Sequence, residues 1–266
     1  MQDLTITLVQ CELAWESPAE NRTHIETLVT QERGKTDLIV LPEMFTTGFS
    51  MNAVANAEAP GGDTEQWLRA LARQLDCAIS GSIAVNSNGR VFNRMLFATP
   101  DGITHYDKRH LFRMAGEHKR YAAGEDRVCV DWRGWRVLLQ VCYDLRFPVF
   151  SRNRNDYDLA LYVANWPSPR RDHWRSLLKA RAIENQACLV GVNRVGEDAK
   201  GWSYSGDSLA FDAKGSLLAD LEASACVKRV TLDARALLDY REKFPCHLDA
   251  DEFFLRTPRY YDVADA

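Results

Sequence analysis

Two reactive side chains each follow a short apolar run in this sequence. Glu43 comes after residues 38–42, and Cys142 comes after residues 137–141. In open α/β sheets, functional side chains gather where strands end, so these two residues could meet at one edge. A carboxylate beside a thiol can act as a general base and turn the sulfur into a nucleophile. The two positions therefore indicate covalent catalysis by a cysteine.

The surroundings of Cys142 predict a sharp turn. Residues 141–148 read Val-Cys-Tyr-Asp-Leu-Arg-Phe-Pro, and Pro148 suits the first turn of a following helix. A nucleophile on such a bend is exposed, and the next backbone N–H groups can point at a developing oxyanion. Free cysteine is also among the most buried residue types, so a structural cysteine is the alternative. The residues alone leave both interpretations open.

The elements that would position these residues alternate between strands and helices. Asn-Ser-Asn-Gly at 86–89 predicts a β-hairpin, which makes the sheet mixed. Helix 171–185 would place Trp174, Leu177, Leu178, Ala182 and Ile183 on one apolar face. The other predicted helices are 18–33, 64–75, 147–155 and one in the last 30 or so residues. The predicted strands are 4–9, 37–41, 78–85, 91–98, 135–141, 159–164, 188–193, 207–211, 217–221 and 225–232.

Length and composition indicate one globular domain. The chain has 266 residues, of which 46% are hydrophobic and 26% charged, and no low-complexity linker divides it. With 33 basic and 37 acidic residues, the net charge of -4 provides no field for nucleic acid or an anionic membrane. No apolar run approaches the ~20 residues of a bilayer span, and the N-terminus lacks a secretory signal. We therefore expect a cytoplasmic protein with no nucleic-acid or membrane partner.

Several classes of site have no support in the sequence. The motifs G-x-G-x-x-G, G-x-x-x-x-G-K-[ST], H-E-x-x-H and G-x-S-x-G are absent, which disfavours nucleotide, zincin and serine-hydrolase sites. The seven cysteines include no C-x-x-C pair, so reduced thiols are expected rather than disulfides or zinc. The six histidines show no spacing that selects a metal. No metal is expected.

Three motifs in order resemble those of the nitrilase superfamily of carbon–nitrogen hydrolases. The resemblance runs from about residue 4 to 240, and the cysteine motif is most similar to that of the omega-amidase branch, which hydrolyses the terminal amide of 2-oxoglutaramate or 2-oxosuccinamate. It implies an α/β fold, a four-layer α-β-β-α sandwich of two mixed sheets with helices outside. It also implies a cofactor-free amidase that forms at least a homodimer. The matching segments are 41–45 for the glutamate motif, 106–112 for the lysine motif and 141–148 for the cysteine motif, with further matches at 164–167, 180–186 and 193–196.

The resemblance assigns catalytic roles that suit the chemistry of amides. An amide is a poor electrophile and a thiol a poor nucleophile, so attack needs a base and a cation. Glu43 would be the base, if a dry site makes it basic enough, and Cys142 would form a thioester. Lys108 would favour the thiolate and, with the Tyr143 N–H, hold the oxyanion. Glu117 matches the second glutamate of the family and would orient Lys108; the alternative is a surface glutamate.

A small-molecule amide carrying a free carboxylate would need a cation at the far end of the pocket. Arg146, Arg170 and Arg171 are candidates because they lie near the expected rim, although each could be a surface arginine. Three further residues, Tyr143, Asn165 and Trp166, resemble pocket positions of the family, and core packing is the alternative for Trp166. The predicted substrate-binding residues are Tyr143, Arg146, Asn165 and Trp166.

Other functions remain open at this point. The same triad could serve an N-carbamoyl amino acid hydrolase, a nitrilase or an acyltransferase, and a Cys–His hydrolase could use His110. An inactive scaffold would bind a partner through the C-terminal tail, residues 234–266. We expect this tail to dock on the body or on a partner subunit. Its aromatic residues are Phe244, Phe253, Phe254, Tyr260 and Tyr261.

Overall fold

Residues 1–255 are described by a computed structural model, which contains two six-stranded mixed sheets. In the first sheet, the neighbouring strands Leu4–Gln10, Leu38–Val40 and Ala78–Ser87 are parallel, and the other pairs are antiparallel. In spatial order its strands are β14 (Cys226–Leu232), β1 (Leu4–Gln10), β2 (Leu38–Val40), β3 (Ala78–Ser87), β4 (Arg90–Ala98) and β5 (Ile103–Asp107).

The second sheet has three parallel strands at its centre, β7, β8 and β9, with antiparallel strands outside them. Its spatial order is β13 (Leu217–Asp220), β12 (Leu209–Phe211), β9 (Cys188–Asn193), β8 (Leu159–Ala164), β7 (Trp135–Val141) and β6 (Cys129–Trp132). A separate two-stranded ribbon consists of β10 (Val195–Glu197) and β11 (Ser203–Ser205). The helices are α1 (Pro18–Val29), α2 (Ala53–Asn56), α3 (Asp63–Leu75), α4 (Pro148–Ser151), α5 (Arg171–Asn185) and α6 (Ala234–Lys243).

Alternating side chains divide the core into layers. Leu38 and Val40 of β2 join residues of β7 such as Val137 in a cluster between the two sheets. Ile39 of the same strand points the other way and packs in a cluster with α1 and α3. On the far side, Leu138 lies in a third cluster with apolar residues of α5. The arrangement is the predicted four-layer α-β-β-α sandwich, and strands buried on both faces explain the continuous apolar runs.

Most element predictions are confirmed, with local shifts of boundary. The hairpin between β3 and β4 turns at Asn88 and Gly89, whose φ angles of 54° and 79° suit the expected tight turn. α5 spans the predicted residues. The strand predicted to start at Asp207 begins at Leu209, because Asp207 has a left-handed φ of 55°.

Three predictions about helices are corrected. Helix 147–155 is only the four-residue α4, because the Asn153 main-chain N–H donates to Asn185 Oδ1 at 2.8 Å instead of to a helical carbonyl. The helix predicted over 18–33 ends at Val29 and continues as one 3₁₀ turn. Ile183, predicted on the buried face of α5, is 44% exposed. The strands β5, β6, β10 and β11 were not predicted; each is short and carries exposed residues.

The C-terminal tail is described as far as residue 255. Phe244 and Phe254 are exposed, and the Arg154 guanidinium lies 4.6 Å from the centre of the Phe253 ring. Tyr260 and Tyr261 lie outside the described residues. Docking of the tail and the single-domain organisation stay predictions. None of the helices within residues 1–255 is long and apolar enough to cross a bilayer.

Gly191 of β9 allows α5 to pack closely on the second sheet. A Cβ at this position would lie 2.6 Å from Leu178 and 2.9 Å from Trp174. We expect Gly191→Ala to lower the free energy of unfolding by about 1–3 kcal/mol, because the helix must shift to relieve the overlap. Urea unfolding measures this change.

Gly102→Ala is the matched control, since an added Cβ there meets nothing within 4 Å. The control should unfold like the wild type. Equal stabilities of the two variants would contradict the assigned packing of α5 against β9.

Candidate active site

Four charged or nucleophilic side chains converge at one edge of the two sheets. Glu43 follows β2 and Lys108 follows β5, both in the first sheet. Cys142 directly follows β7 of the second sheet, and Glu117 begins a 3₁₀ turn. The structure thus brings together all four residues that the sequence predicted as catalytic.

Lys108 is the centre of this cluster. Its Nζ lies 2.8 Å from Glu43 Oε1 and 3.1 Å from both oxygens of Glu117, and all three side chains are fully buried. The Phe49 ring covers the ammonium, with its centre 5.2 Å from Nζ. Burial alone would lower the pKa of Lys108, but the two carboxylates outweigh it and the net shift is upward. Lys108 is therefore a permanent cation in a dry site.

Backbone and amide donors hold Glu43 in place. Its Oε2 accepts a hydrogen bond from the Asn165 N–H at 2.8 Å, and its Oε1 accepts one from Asn93 Nδ2 at 2.7 Å. Asn165 Nδ2 also donates to the main-chain carbonyl of Glu43 at 2.6 Å. These bonds join the end of β2 to the end of β8, so the carboxylate has little freedom to rotate.

Cys142 sits on the predicted turn, where the charges of Glu43, Lys108 and Glu117 act on its sulfur. Its φ of 43° is left-handed, a conformation that costs free energy for any residue with a Cβ and clusters at functional sites. Burial and the Glu43 charge raise the pKa of the Cys142 thiol well above its usual range, and Lys108 only partly offsets them. Lys108 thus favours the thiolate, as expected, but burial and Glu43 outweigh its effect on the pKa, and the resting sulfur carries its proton.

Glu117 is a buried residue of this cluster rather than a surface glutamate. The Phe112 N–H donates to its Oε2 at 2.6 Å, and Asn93 Nδ2 lies 3.3 Å from its Oε1. Burial raises the pKa of Glu117, although the Lys108 charge opposes that shift. The position agrees with the expected role of orienting Lys108.

A cavity of about 340 Å³ opens in front of Cys142. All four predicted substrate-binding residues line it, and so does Arg170. Arg171 is not among the lining residues, because it is exposed and forms an ion pair with Asp207 at 2.7 Å. Its proposed role as a carboxylate ligand is therefore wrong. The lining residues are Phe49, Phe112, Cys142, Tyr143, Arg146, Asn165, Trp166, Pro167, Arg170 and Trp202.

Two guanidinium groups give the cavity lining a positive charge. Arg146 lies over the Trp166 ring at 4.6 Å, and Arg170 lies 5.3 Å from the centre of Phe112 and 5.7 Å from that of Trp202. Neither arginine forms an ion pair with a carboxylate among residues 1–255. Burial lowers the pKa of Arg146, and the Arg170 charge adds to that effect. An anionic group in the cavity would relieve this repulsion.

The alternative of a Cys–His hydrolase has no geometric support. His110 Nδ1 lies 2.7 Å from Asp144 Oδ1, and its ring stacks on Phe147 with centres 3.9 Å apart. His110 is also not among the residues that line the cavity in front of Cys142.

Sequence reasoning missed several residues of the site. Asn93, which bonds both glutamates, stands beside Arg94 in an otherwise apolar strand, and this buried polar pair was the available signal. Phe49, Phe112 and Trp202 lie on loops whose approach to the cavity depends on tertiary packing, so no local pattern indicated them.

Known proteins resemble this chain over most of its length. The family model described as carbon-nitrogen hydrolase matches residues 5–237. Omega-amidase YafV of Yersinia enterocolitica is 52% identical over 257 residues, covering 96% of this chain and 100% of that protein. The 2-oxoglutaramate amidase of Bacillus subtilis is 34% identical, covering 91% of this chain and 95% of the relative.

A solved structure supports the same assignment. The protein XC1258 of Xanthomonas campestris, described as a CN-hydrolase superfamily protein with an arsenic adduct in the active site, superposes with a TM-score of 0.95. It is 48% identical, and the match covers 96% of this chain and all of that one. Both the predicted nitrilase-type fold and the predicted family are confirmed. This chain belongs to the carbon-nitrogen hydrolase family.

Proposed function

We propose that this protein is an omega-amidase, which releases ammonia from the terminal amide of a small dicarboxylate monoamide such as 2-oxoglutaramate or 2-oxosuccinamate. One observation carries the proposal: Glu43, Lys108 and Cys142 cluster beside a cavity lined by two arginines, neither of which forms an ion pair with a carboxylate among residues 1–255. The names of the relatives from Yersinia enterocolitica and Bacillus subtilis support the same substrate class.

Acylation begins with transfer of the Cys142 proton to Glu43. The sulfur attacks the amide carbon, and the carbonyl π electrons move to oxygen to give a tetrahedral oxyanion. Lys108 and the Tyr143 N–H stabilise that charge, and this stabilisation is stronger in a dry site than in water. The oxyanion collapses, the C–N bond breaks, and Glu43 hands its proton to the departing nitrogen. The products of this half-reaction are ammonia and a thioester on Cys142.

Deacylation repeats the sequence with water as the nucleophile. Glu43 takes a proton from the water as its oxygen attacks the thioester carbon. When the C–S bond breaks, the sulfur leaves and regains its proton from Glu43, so the free carboxylic acid departs and the enzyme returns to its starting state. Lys108 keeps its proton throughout, because the neighbouring carboxylates raise its pKa.

Substrate choice follows from the far end of the cavity. Arg146 and Arg170 would bind the free carboxylate of the substrate, while the amide faces Cys142.

Alternative substrates would react through the same catalytic groups. An N-carbamoyl amino acid, a nitrile or an acyl acceptor other than water would need only a different fit in the cavity. The inactive scaffold is disfavoured because none of the predicted catalytic residues is missing from the site. The homo-oligomer and the cytoplasmic location stay predictions.

A substrate comparison tests the proposed activity. We expect ammonia release from 2-oxoglutaramate at a kcat/KM well above that for succinamate, an N-carbamoyl amino acid or a simple nitrile. Cys142→Ala provides the blank, because it removes the nucleophile without adding bulk. A preference for the carbamoyl compound or the nitrile would contradict the assigned substrate class.

Glu43→Gln should separate proton transfer from thiol reactivity. We expect its hydrolysis rate to fall by about 10²- to 10⁴-fold, because the amide cannot carry the proton to the leaving nitrogen. Alkylation of Cys142 by iodoacetamide at pH 8 should not slow, since the substitution removes a charge that raises the pKa of the thiol. Steady-state kinetics and peptide mapping measure the two effects. Hydrolysis at the wild-type rate would exclude Glu43 as the base.

Arg146→Gln and Arg170→Gln should weaken selection of the substrate carboxylate. Loss of a charge-assisted hydrogen bond should lower kcat/KM for 2-oxoglutaramate by roughly 10- to 100-fold, mainly through KM. A monoamide without a carboxylate should be affected much less. Arg171→Gln is the matched control, because its guanidinium pairs with Asp207. Equal losses in all three variants would rule out specific carboxylate binding.

A further inference from the structure

Asp144 is a buried carboxylate that lies two residues after Cys142 and has no role in the chemistry described above. It is fully inaccessible to solvent, and it forms no ion pair with lysine or arginine among residues 1–255. A buried carboxylate needs strong hydrogen bonds to offset its desolvation. The donors that supply them indicate what Asp144 does.

Four hydrogen bonds to Asp144 join two separate segments of the chain. Oδ2 accepts from the Tyr106 hydroxyl at 2.7 Å and from the Val141 N–H at 2.9 Å. Oδ1 lies 2.9 Å from the His110 N–H and 2.7 Å from His110 Nδ1. Tyr106 and His110 flank Lys108, which belongs to the first sheet's rim, whereas Val141 precedes Cys142 at the end of the second sheet.

These bonds act on the two groups whose separation matters most for the reaction. The Val141 N–H bond closes the turn on which Cys142 adopts its left-handed φ of 43°. Such a conformation persists only where the surroundings hold it. On the other segment, the Tyr106 hydroxyl accepts the Arg109 N–H at 3.1 Å, which fixes the chain directly after Lys108.

Stacking of His110 on Phe147 supports the same connection. The ring centres are 3.9 Å apart and the planes differ by 10°, so the loop after Lys108 packs on the far end of the Cys142 turn. Further along the loop, the Phe112 N–H binds Glu117. The loop therefore carries both Lys108 and the backbone donor that orients its partner.

We propose that Asp144 is a positioning residue, which joins the turn of Cys142 to the loop of Lys108 and so fixes the sulfur against the cation and the base. This inference rests on the proposed function. Loss of the connection would let the turn relax and move the sulfur away from Glu43 and Lys108. A displacement of about 1 Å between reacting groups can cost about 100-fold in rate.

Asp144→Asn tests the proposal, with Asp158→Asn as the matched control. Asp158 is also a buried carboxylate with four donor contacts, from Arg136 and Arg241, but it lies just before β8, away from the cavity. Both variants should lose thermal stability. Only Asp144→Asn should lower kcat for 2-oxoglutaramate, by about 100-fold, with KM nearly unchanged because the arginines are untouched.

The pH midpoint of Cys142 alkylation gives a second readout that does not depend on the substrate. In the wild type this midpoint should lie above that of an ordinary thiol, because burial and Glu43 raise the pKa of Cys142. In Asp144→Asn it should move down towards the ordinary value as the sulfur leaves the site. The buried Cys11 and Cys188 should stay unlabelled in both variants, which excludes general unfolding.

Four outcomes decide between the proposals. A folded Asp144→Asn protein with wild-type kcat and alkylation midpoint overturns the proposal, and so does an equal change in Asp158→Asn. If Asp144→Asn does not fold, Tyr106→Phe removes one donor at little structural cost, and an unchanged kcat and midpoint in that variant also overturn it. If the wild type hydrolyses no amide, the proposed function fails, while the alkylation midpoint still tests the position of Cys142.

Discussion

The active site depends on keeping one ammonium charge in a place without water. Isolated burial of Lys108 would favour its neutral form, so the charge persists only because Glu43 and Glu117 contact it. Those carboxylates are equally buried and need further donors, which Asn93, Asn165 and the Phe112 N–H supply. Each of these partners comes from a different segment. The requirement to satisfy one buried cation thus determines how β2, β4, β5 and β8 end relative to one another.

The same burial decides how the nucleophile is used. Because the pKa of Cys142 is raised, the sulfur does not wait as a thiolate that oxidants or other electrophiles could consume. In the proposed mechanism this proton leaves when the substrate arrives, and Glu43 takes it and later protonates the departing nitrogen. A single proton would therefore move from sulfur to Glu43 to nitrogen in acylation. This mechanism depends on the orientation of Glu43 more than on the acidity of Cys142. The surrounding structure must therefore control how Glu43 is oriented.

The sequence predicts those residues of the site that local sequence patterns indicate. Apolar runs that end in a reactive residue identified the strand ends carrying Glu43 and Cys142, and motif order added Lys108 and Glu117. What it lacked were contacts between distant segments. Nothing near Asp144 in the chain indicates that its carboxylate reaches Tyr106 and His110. Neighbouring arginines were equally ambiguous: Arg170 enters the cavity while Arg171 turns to Asp207, because consecutive residues at a helix start project in different directions.

The charge distribution along the cavity also determines which end of the substrate reacts. The cluster of Glu43, Glu117 and Lys108 contains two carboxylates and one ammonium, so its formal charge is one negative unit. Arg146 and Arg170 add two positive charges to the cavity lining. In the proposed reaction a monoamide has one charged end and one neutral end, so its carboxylate would be repelled by the cluster and attracted to the guanidinium groups. The neutral amide would then face Cys142, and a diacid product, charged at both ends, would be disfavoured in the same cavity. Orientation of the substrate and release of the product would both follow from this one distribution of charge.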